Sequence, residues 1–378
     1  MSPGSPFRFP YCVILRSPNG EYSPISGLGT SNWGTFRAAH LLPSTILTRK
    51  RLLSAGVSNI IEMSRNLRII FERILCPTDL TEESDDALRY ATALARQYNA
   101  KLFVLNCAVA QTPAPIKDHA DIRSHIERSV LSRFADIPAC DWEAVVVDDD
   151  PVTAIPSEAA GRSADLIVMR SRRRPNAAAL LGSTAESICR TAPCPVLVTH
   201  PEERMWVGNS AEQTSLRKVL VAHDFSDCSE LALINALSLA QEYQAELHLI
   251  HVLQSSVPRR GLDVEPSPEG AFQLAAQRLE NSFPPEARPW CTTKAAVREG
   301  QPYLEILTYA EEEEVDLICM GVRGTGFGMK ALFGSNADRV LRQAPCPVLI
   351  ARPLKPASAS PAKSDGSARE SVGGSPGG

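Results

Sequence analysis

The residues of this chain best suited to chemistry form a run of glycines. Gly321-Val-Arg-Gly324 is followed, after nine residues, by Gly334-Ser335. The run leaves an apolar stretch ending at Met320 and enters a segment with helical spacing after Ser335. Glycine lets a backbone turn tightly and come close to a ligand. The free N–H groups and positive dipole end of a helix start suit a phosphate. Ser335 adds a hydroxyl donor, and Arg323 and Lys330 add positive charge. A plain strand-to-helix turn accounts for glycines alone, but the spacing and the setting favour the phosphate reading. The run is not a P-loop, because G-x-x-x-x-G-K-[ST] is absent from the chain. Nor is it a dinucleotide fingerprint, because it follows the fourth predicted strand rather than the first.

Asp224 is the second candidate. It ends the apolar run Lys218–His223, where a carboxylate can accept from an exocyclic amine or a ribose hydroxyl. Capping the following helix is the alternative, and the two roles are compatible. His223 and His251 fall beside strand ends, but no nucleophile and orienting partner accompany them, so they read as packed histidines. Cys194 and Cys346 follow Pro at equivalent points and read as small buried residues. The acidic run Glu311–Glu314 reads as a solvated helix end.

The elements that must position these residues occur twice. Residues 164–201 and 315–353 both carry Asp-Leu-Ile, a Met two residues after the Ile (Met169, Met320), a Gly-Ser and an identical APCPVL. FERILCPTDLTEESDDALRY from Phe71 matches LRKVLVAHDFSDCSELAL from Leu216. Each copy alternates strand and helix. In the second, strands are expected at 218–223, 247–253, 293–297, 317–320 and 347–351, with helices at 229–243, 268–283, from Pro302, and 335–343. Ser226 is a fitting N-cap. Leu231, Leu233, Ile234, Leu237 and Ala240 share one helical face, and Leu304, Ile306 and Leu307 are expected to point inward. Near-continuous apolar strands alternating with helices argue an α/β fold, with a parallel sheet covered on both faces. Ligands of such sheets sit at the carboxyl ends of the strands.

The expected organisation is 1–68 as a disordered or mis-assigned extension, 69–201 as the first domain, 202–215 as a short polar linker, 216–353 as the second domain and 354–378 as a disordered tail. The first 62 residues hold six Lys/Arg against two acidic residues, so a transit peptide is one reading. A start at Met63, which runs directly into the first strand, is the preferred one. Lys and Arg number 39 against 43 Asp and Glu, so no general polycation exists to hold nucleic acid or an anionic membrane. No apolar run approaches the roughly 20 residues of a transmembrane helix. The ten cysteines form no CxxC pair or zinc-spaced cluster, which argues for free thiols in a reducing compartment and a cytoplasmic location.

Both copies resemble universal stress protein domains, and the chain resembles a tandem universal stress protein over 71–353. The marks are the first-strand Asp, the G-x-x-G-x9-G-S loop and the closing Pro-Val-Leu strand. The resemblance implies two Rossmann-like, adenine nucleotide alpha hydrolase-like domains, each an open five-stranded parallel sheet of order 3-2-1-4-5, paired through their last strands as a pseudo-dimer. In ATP-binding members the first-strand Asp and a strand-two Val hold adenine, and the loop glycines and Ser hold ribose and phosphates. Carried onto matching positions, this implies Asp224, Val252, Gly321, Gly324, Gly334 and Ser335, with ATP as ligand and Mg or Mn on its phosphates. Ala222 stands where the family often has Pro.

The first copy departs further. It keeps Asp79, but Arg170 and Arg173 replace the loop glycines and the loop is one residue shorter before Gly182-Ser183. Cys107 replaces the strand-two Val, Asp149 replaces Gly300, and Pro156 is expected to interrupt the following helix. The first copy is therefore expected to have lost ordinary ATP binding. Arg170, Arg172, Arg173 and Arg174 raise the alternative of an anion or phosphorylated-partner site. Three functional readings remain open. The chain is an ATP-binding stress-response regulator read by an unidentified protein partner, hydrolysing ATP slowly at most; or an interaction scaffold without nucleotide; or an adenine-nucleotide hydrolase-like enzyme. Further pairing into a homodimer is left open.

Overall fold

The computed structural model describes residues 67–108, 119–133, 139–171, 183–200, 203–208, 214–254, 268–285, 287, 289, 291–322 and 334–352, with three short strands nearer the N-terminus. Met1–Pro43 is one compact unit, in which β1 (Ile14–Arg16) and β2 (Tyr22–Pro24) pair antiparallel. Ser44–Gly378 is the other. It opens with β3 (Thr45–Leu47) and β4 (Leu67–Ile69), which pair in parallel. The expected tail at 354–378 lies outside the described residues, as does most of the expected extension before residue 68.

The first copy runs β5 (Arg73–Pro77), α1 (Asp85–Tyr98), β6 (Lys101–Cys107), α2 (His119–Arg133), β7 (Trp142–Val147), α3 (Pro151–Gly161), β8 (Leu166–Arg170), α4 (Ser183–Thr191) and β9 (Val196–Thr199). The second runs β10 (Lys218–Ala222), α5 (Asp227–Tyr243), β11 (Glu246–Leu253), α6 (Pro268–Ser282), β12 (Thr293–Glu299), α7 (Pro302–Glu312), β13 (Leu317–Gly321), α8 (Ser335–Gln343) and β14 (Val348–Ala351). All ten strands join one sheet in the order β12-β11-β10-β13-β14-β9-β8-β5-β6-β7. Each half thus has the order 3-2-1-4-5. Every pairing is parallel except the central one, where β14 meets β9 antiparallel with Leu349 opposite Leu197.

The duplication extends to atomic detail. Asp165 accepts from the backbone N–H groups of Glu72 and Arg73 at 2.9 and 3.0 Å. Asp316 does the same for Arg217 and Lys218 at 2.8 and 3.0 Å. Each carboxylate ties the start of a fourth strand to the start of a first. Left-handed residues recur at equivalent turns: Leu80 and Phe225, Asn99 and Gln244, Ser163 and Glu314. At the centre, the residue after each last strand reaches the other half. His200 Nε2 meets the Leu341 carbonyl in α8, and Arg352 donates to the equivalent Cys189 carbonyl in α4.

Two cores fill the faces of the sheet. One lies under α1 and α5, the other under α3, α4, α7 and α8, and each draws residues from both halves. Leu231, Leu233, Ile234, Leu237 and Ala240 are buried as expected. Three expectations are corrected. The α3 helix runs through Pro156; Asp150 caps its start by accepting from Val152 N–H, so the proline removes one helical hydrogen bond without ending the helix. Leu304 is 44% exposed, while Ile306 and Leu307 are buried. The stretch 202–215 is not simply a polar connection. Trp206 is 1% exposed, with ring centroids 4.9 Å from Tyr90 of α1 and 5.5 Å from Tyr243 of α5. The nine described cysteines are free thiols. Burial pushes the thiols of Cys346 and Cys319 well above the ordinary thiol range, as inert packed cysteines require. No helix among the described residues is long and apolar enough to cross a membrane.

Candidate functional site

The carboxyl ends of β10, β11 and β13 open into a cavity of about 620 Å³. Its lining includes the apolar Ala222, Ile250, Val252, Ile306 and Met320, the polar Asp224, His223, His251, Ser335 and Asn336, and Gly321 and Gly334. The structure therefore brings five of the six sequence-derived residues, Asp224, Val252, Gly321, Gly334 and Ser335, to one lining. Gly324, Arg323 and Lys330 lie outside the described residues.

Asp224 is fixed by the turn between β10 and α5. Its Oδ1 accepts from the Ser226 backbone N–H at 3.2 Å and from the Ser226 hydroxyl at 2.6 Å. Ser226 in turn caps α5, with reciprocal bonds to Ser229. The turn needs Phe225 in the left-handed region, φ 61°, an uncommon conformation for a bulky side chain. Three contacts hold that ring: His251 at 4.6 Å, His223 at 5.1 Å, and the Arg278 guanidinium 4.1 Å above its face. His251 Nδ1 also meets the His223 carbonyl at 2.8 Å, and burial holds its imidazole below the ordinary range. His223 Nδ1 accepts from Phe225 N–H at 3.3 Å, leaving Nε2 3.2 Å from Glu230. Both histidines thus brace the turn that carries Asp224.

Gly321 has a structural reason to be glycine. A Cβ there would meet the Cys228 carbonyl carbon and Cβ at 2.6 Å and its carbonyl oxygen at 2.7 Å. The end of β13 lies against the first turn of α5. Gly334 is the N-cap of α8 and supplies no side-chain cap. The first N–H groups of α8 are therefore not taken by a cap side chain at the cavity edge, where Ser335, Asn336 and Ala337 line the wall. Gln254, Pro302 and Asn336 escaped the sequence reading. Asn336 was signalled only by standing next to Ser335.

The corresponding end of the first half differs at the residue matching Gly321. Arg170 has a side chain only 12% exposed, within 3.9 Å of Glu83 and of Asp86. Glu83 is the counterpart of Cys228, so the exchange of Gly and Cys for Arg and Glu is a matched pair. Asp79 keeps the geometry of Asp224, accepting from Thr81 N–H at 3.1 Å and from its hydroxyl at 2.6 Å. Asp150 opens α3 where Gln301 opens α7. Arg172, Arg173 and Arg174 lie outside the described residues. Among the described residues no three His, Cys, Asp or Glu gather as a metal cluster.

A single sheet made of two like halves, each ordered 3-2-1-4-5, with a cavity over the carboxyl ends of its strands, defines a tandem Rossmann-like α/β protein. Comparison with known proteins gives the family. The chain belongs to the universal stress protein family, whose model matches residues 70–200 and again 215–352. A universal stress protein of Methanocaldococcus jannaschii, MJ0531, is 34% identical over 143 residues, covering 37% of this chain and 84% of its own. YxiE of Bacillus subtilis, also a universal stress protein, is 35% identical over 150 residues, covering 36% of this chain and 98% of its own. The crystal structure of a universal stress protein from Archaeoglobus fulgidus aligns with a TM-score of 0.54 at 24% identity, covering 74% of this chain and 98% of that one. The last shares the tandem fold.

Proposed function

We propose that the second half binds one adenine nucleotide, ATP in the resting state, and that the first half is its structural partner without an ordinary nucleotide site. One observation carries the reading: Asp224, Val252, Gly321, Gly334 and Ser335 meet on one cavity of about 620 Å³, within the roughly 300–1,000 Å³ typical of small-ligand sites. The apolar part of the lining suits a base, and the Asp224 carboxylate an amine or ribose hydroxyl. The α8 start suits phosphates. Gly324 joins this set as the second glycine of the loop, and Mg²⁺ or Mn²⁺ would arrive on the phosphates. In the first half Arg170 stands at the position of Gly321, with its side chain beside Glu83 and Asp86.

The reading is one of binding and signalling rather than turnover. His223 and His251 are engaged in holding the Asp224 turn, so neither is poised as a general base. Occupancy would set the conformation of 321–335, and a protein partner would read it. The pairing of β9 with β14 supports an intramolecular pseudo-dimer, and free thiols favour a cytoplasmic protein.

Titration with ATP and Mg²⁺ tests the site. Ser335→Asp adds a carboxylate to the first turn of α8, which favours the helix but repels phosphate. It should lower ATP affinity at least tenfold with the unfolding midpoint retained. Affinity equal to that of the parent chain, or no ATP binding by the parent chain, would overturn the reading.

A further inference from the structure

A second cavity, of about 380 Å³, adjoins the first. Gln254, Pro302 and Asn336 line both, so these three residues form a shared wall. Beyond the wall, the second cavity is lined by Gly300, Gln301, Tyr303 and Arg339. Among the described residues the lining thus offers one permanent cation, three side-chain amides and a phenol. The Arg339 guanidinium sits 4.5 Å over the Tyr303 ring, which orients its fork of donors without neutralising it. Gly300 has φ 148°, and a Cβ there would come within 2.8 Å of the Glu305 carboxylate, which packs against this backbone.

We infer that this second cavity is a subsite for a further phosphate group, so that the protein takes an adenine nucleotide carrying an additional phosphate, on the ribose or on a longer 5′ chain. The inference rests on the nucleotide reading of the first cavity and extends it. Asn336 is adjacent to Ser335 on α8, so the shared wall borders the ribose and phosphate side of the proposed nucleotide. Arg339 lies one helical turn further along α8, at the spacing that places side chains on one helix face. A planar guanidinium with amide donors beside it matches a phosphate's oxygens better than it matches an uncharged group.

The test compares ADP, ATP and adenosine 3′,5′-bisphosphate, with diadenosine tetraphosphate as the longer probe, on the full chain and on Arg339→Gln and Arg339→Lys. The full chain should bind at least one of the two extended probes about tenfold more tightly than ADP. Arg339→Gln should remove that advantage while ATP affinity stays within about twofold; tenfold corresponds to one charge-assisted hydrogen bond. Arg339→Lys should restore part of it. Equal binding of the extended probes and ADP, or loss of ATP and extended probes alike in Arg339→Gln, would overturn the subsite and leave the nucleotide reading standing. Absence of ATP binding in the full chain would overturn both.

Discussion

At the scale of single residues, the candidate site is held by contacts that serve the fold first. Gly321 is required by Cys228, whose backbone would lie 2.6–2.7 Å from any Cβ. Gly321→Ala should therefore push the start of α5 away from β13, at a cost of about 1–3 kcal/mol, as for other overpacked sites. Chemical denaturation would measure this, and an unchanged midpoint would contradict it. The same shift would disturb the Ser226–Asp224 turn, so ATP affinity should fall with stability. Residue type and spacing made Gly321 legible as a site residue, but not its packing partner, which stands on the far side of two strands in sequence. The Arg170–Glu83 pair was half legible. An arginine in a glycine position is plain in the sequence, whereas its nearness to Glu83 emerges only when the turn before α1 and the end of β8 are brought together.

At the scale of elements, local signals were strong where one element satisfies itself. Ser226 reads as an N-cap, and the structure adds the reciprocal Ser229 bond that completes the capping box. Ser226→Ala should destabilise the protein by about 1 kcal/mol, read by denaturation, and should also free the Asp224 carboxylate from its hydroxyl donor. A loss below a few tenths would mean that the cap is redundant. The strands were legible as apolar runs because both faces of a parallel sheet are covered. Elements were misjudged where tertiary contacts override local preference. Pro156 sits in α3 despite its missing N–H, because the helix packs Ala154, Ile155 and Ala159 into the core. The acidic run at the end of α7 is solvated but also engaged: Glu312 meets Arg298 and Glu313 meets Lys294, both at 2.6 Å, on the edge strand β12.

At the scale of the whole molecule, the halves are joined by more than the β9–β14 ladder. His200 and Arg352 make reciprocal contacts across the centre, Arg342 reaches Glu186 at 3.7 Å, and Trp206 is wedged between Tyr90 and Tyr243. A tryptophan in a polar stretch gave no sign of this, since its partners come from two different halves. Trp206→Ala should cost about 3–5 kcal/mol and split a single calorimetric transition into two as the halves uncouple. One unbroken transition at the parent midpoint would show that the ladder alone couples them. The doubled sheet itself was legible from the repeat, because equivalent strands carry equivalent apolar runs.

The asymmetry between the halves is the central claim, and counting nucleotide per chain tests it most directly. Equilibrium dialysis of the full chain against ATP and Mg²⁺ should saturate at one ATP per chain, and Ser335→Asp should need at least ten times more ATP to reach the same occupancy. Two per chain would show that Arg170 does not close the first half. None would leave the cavity over β10, β11 and β13 without its proposed ligand.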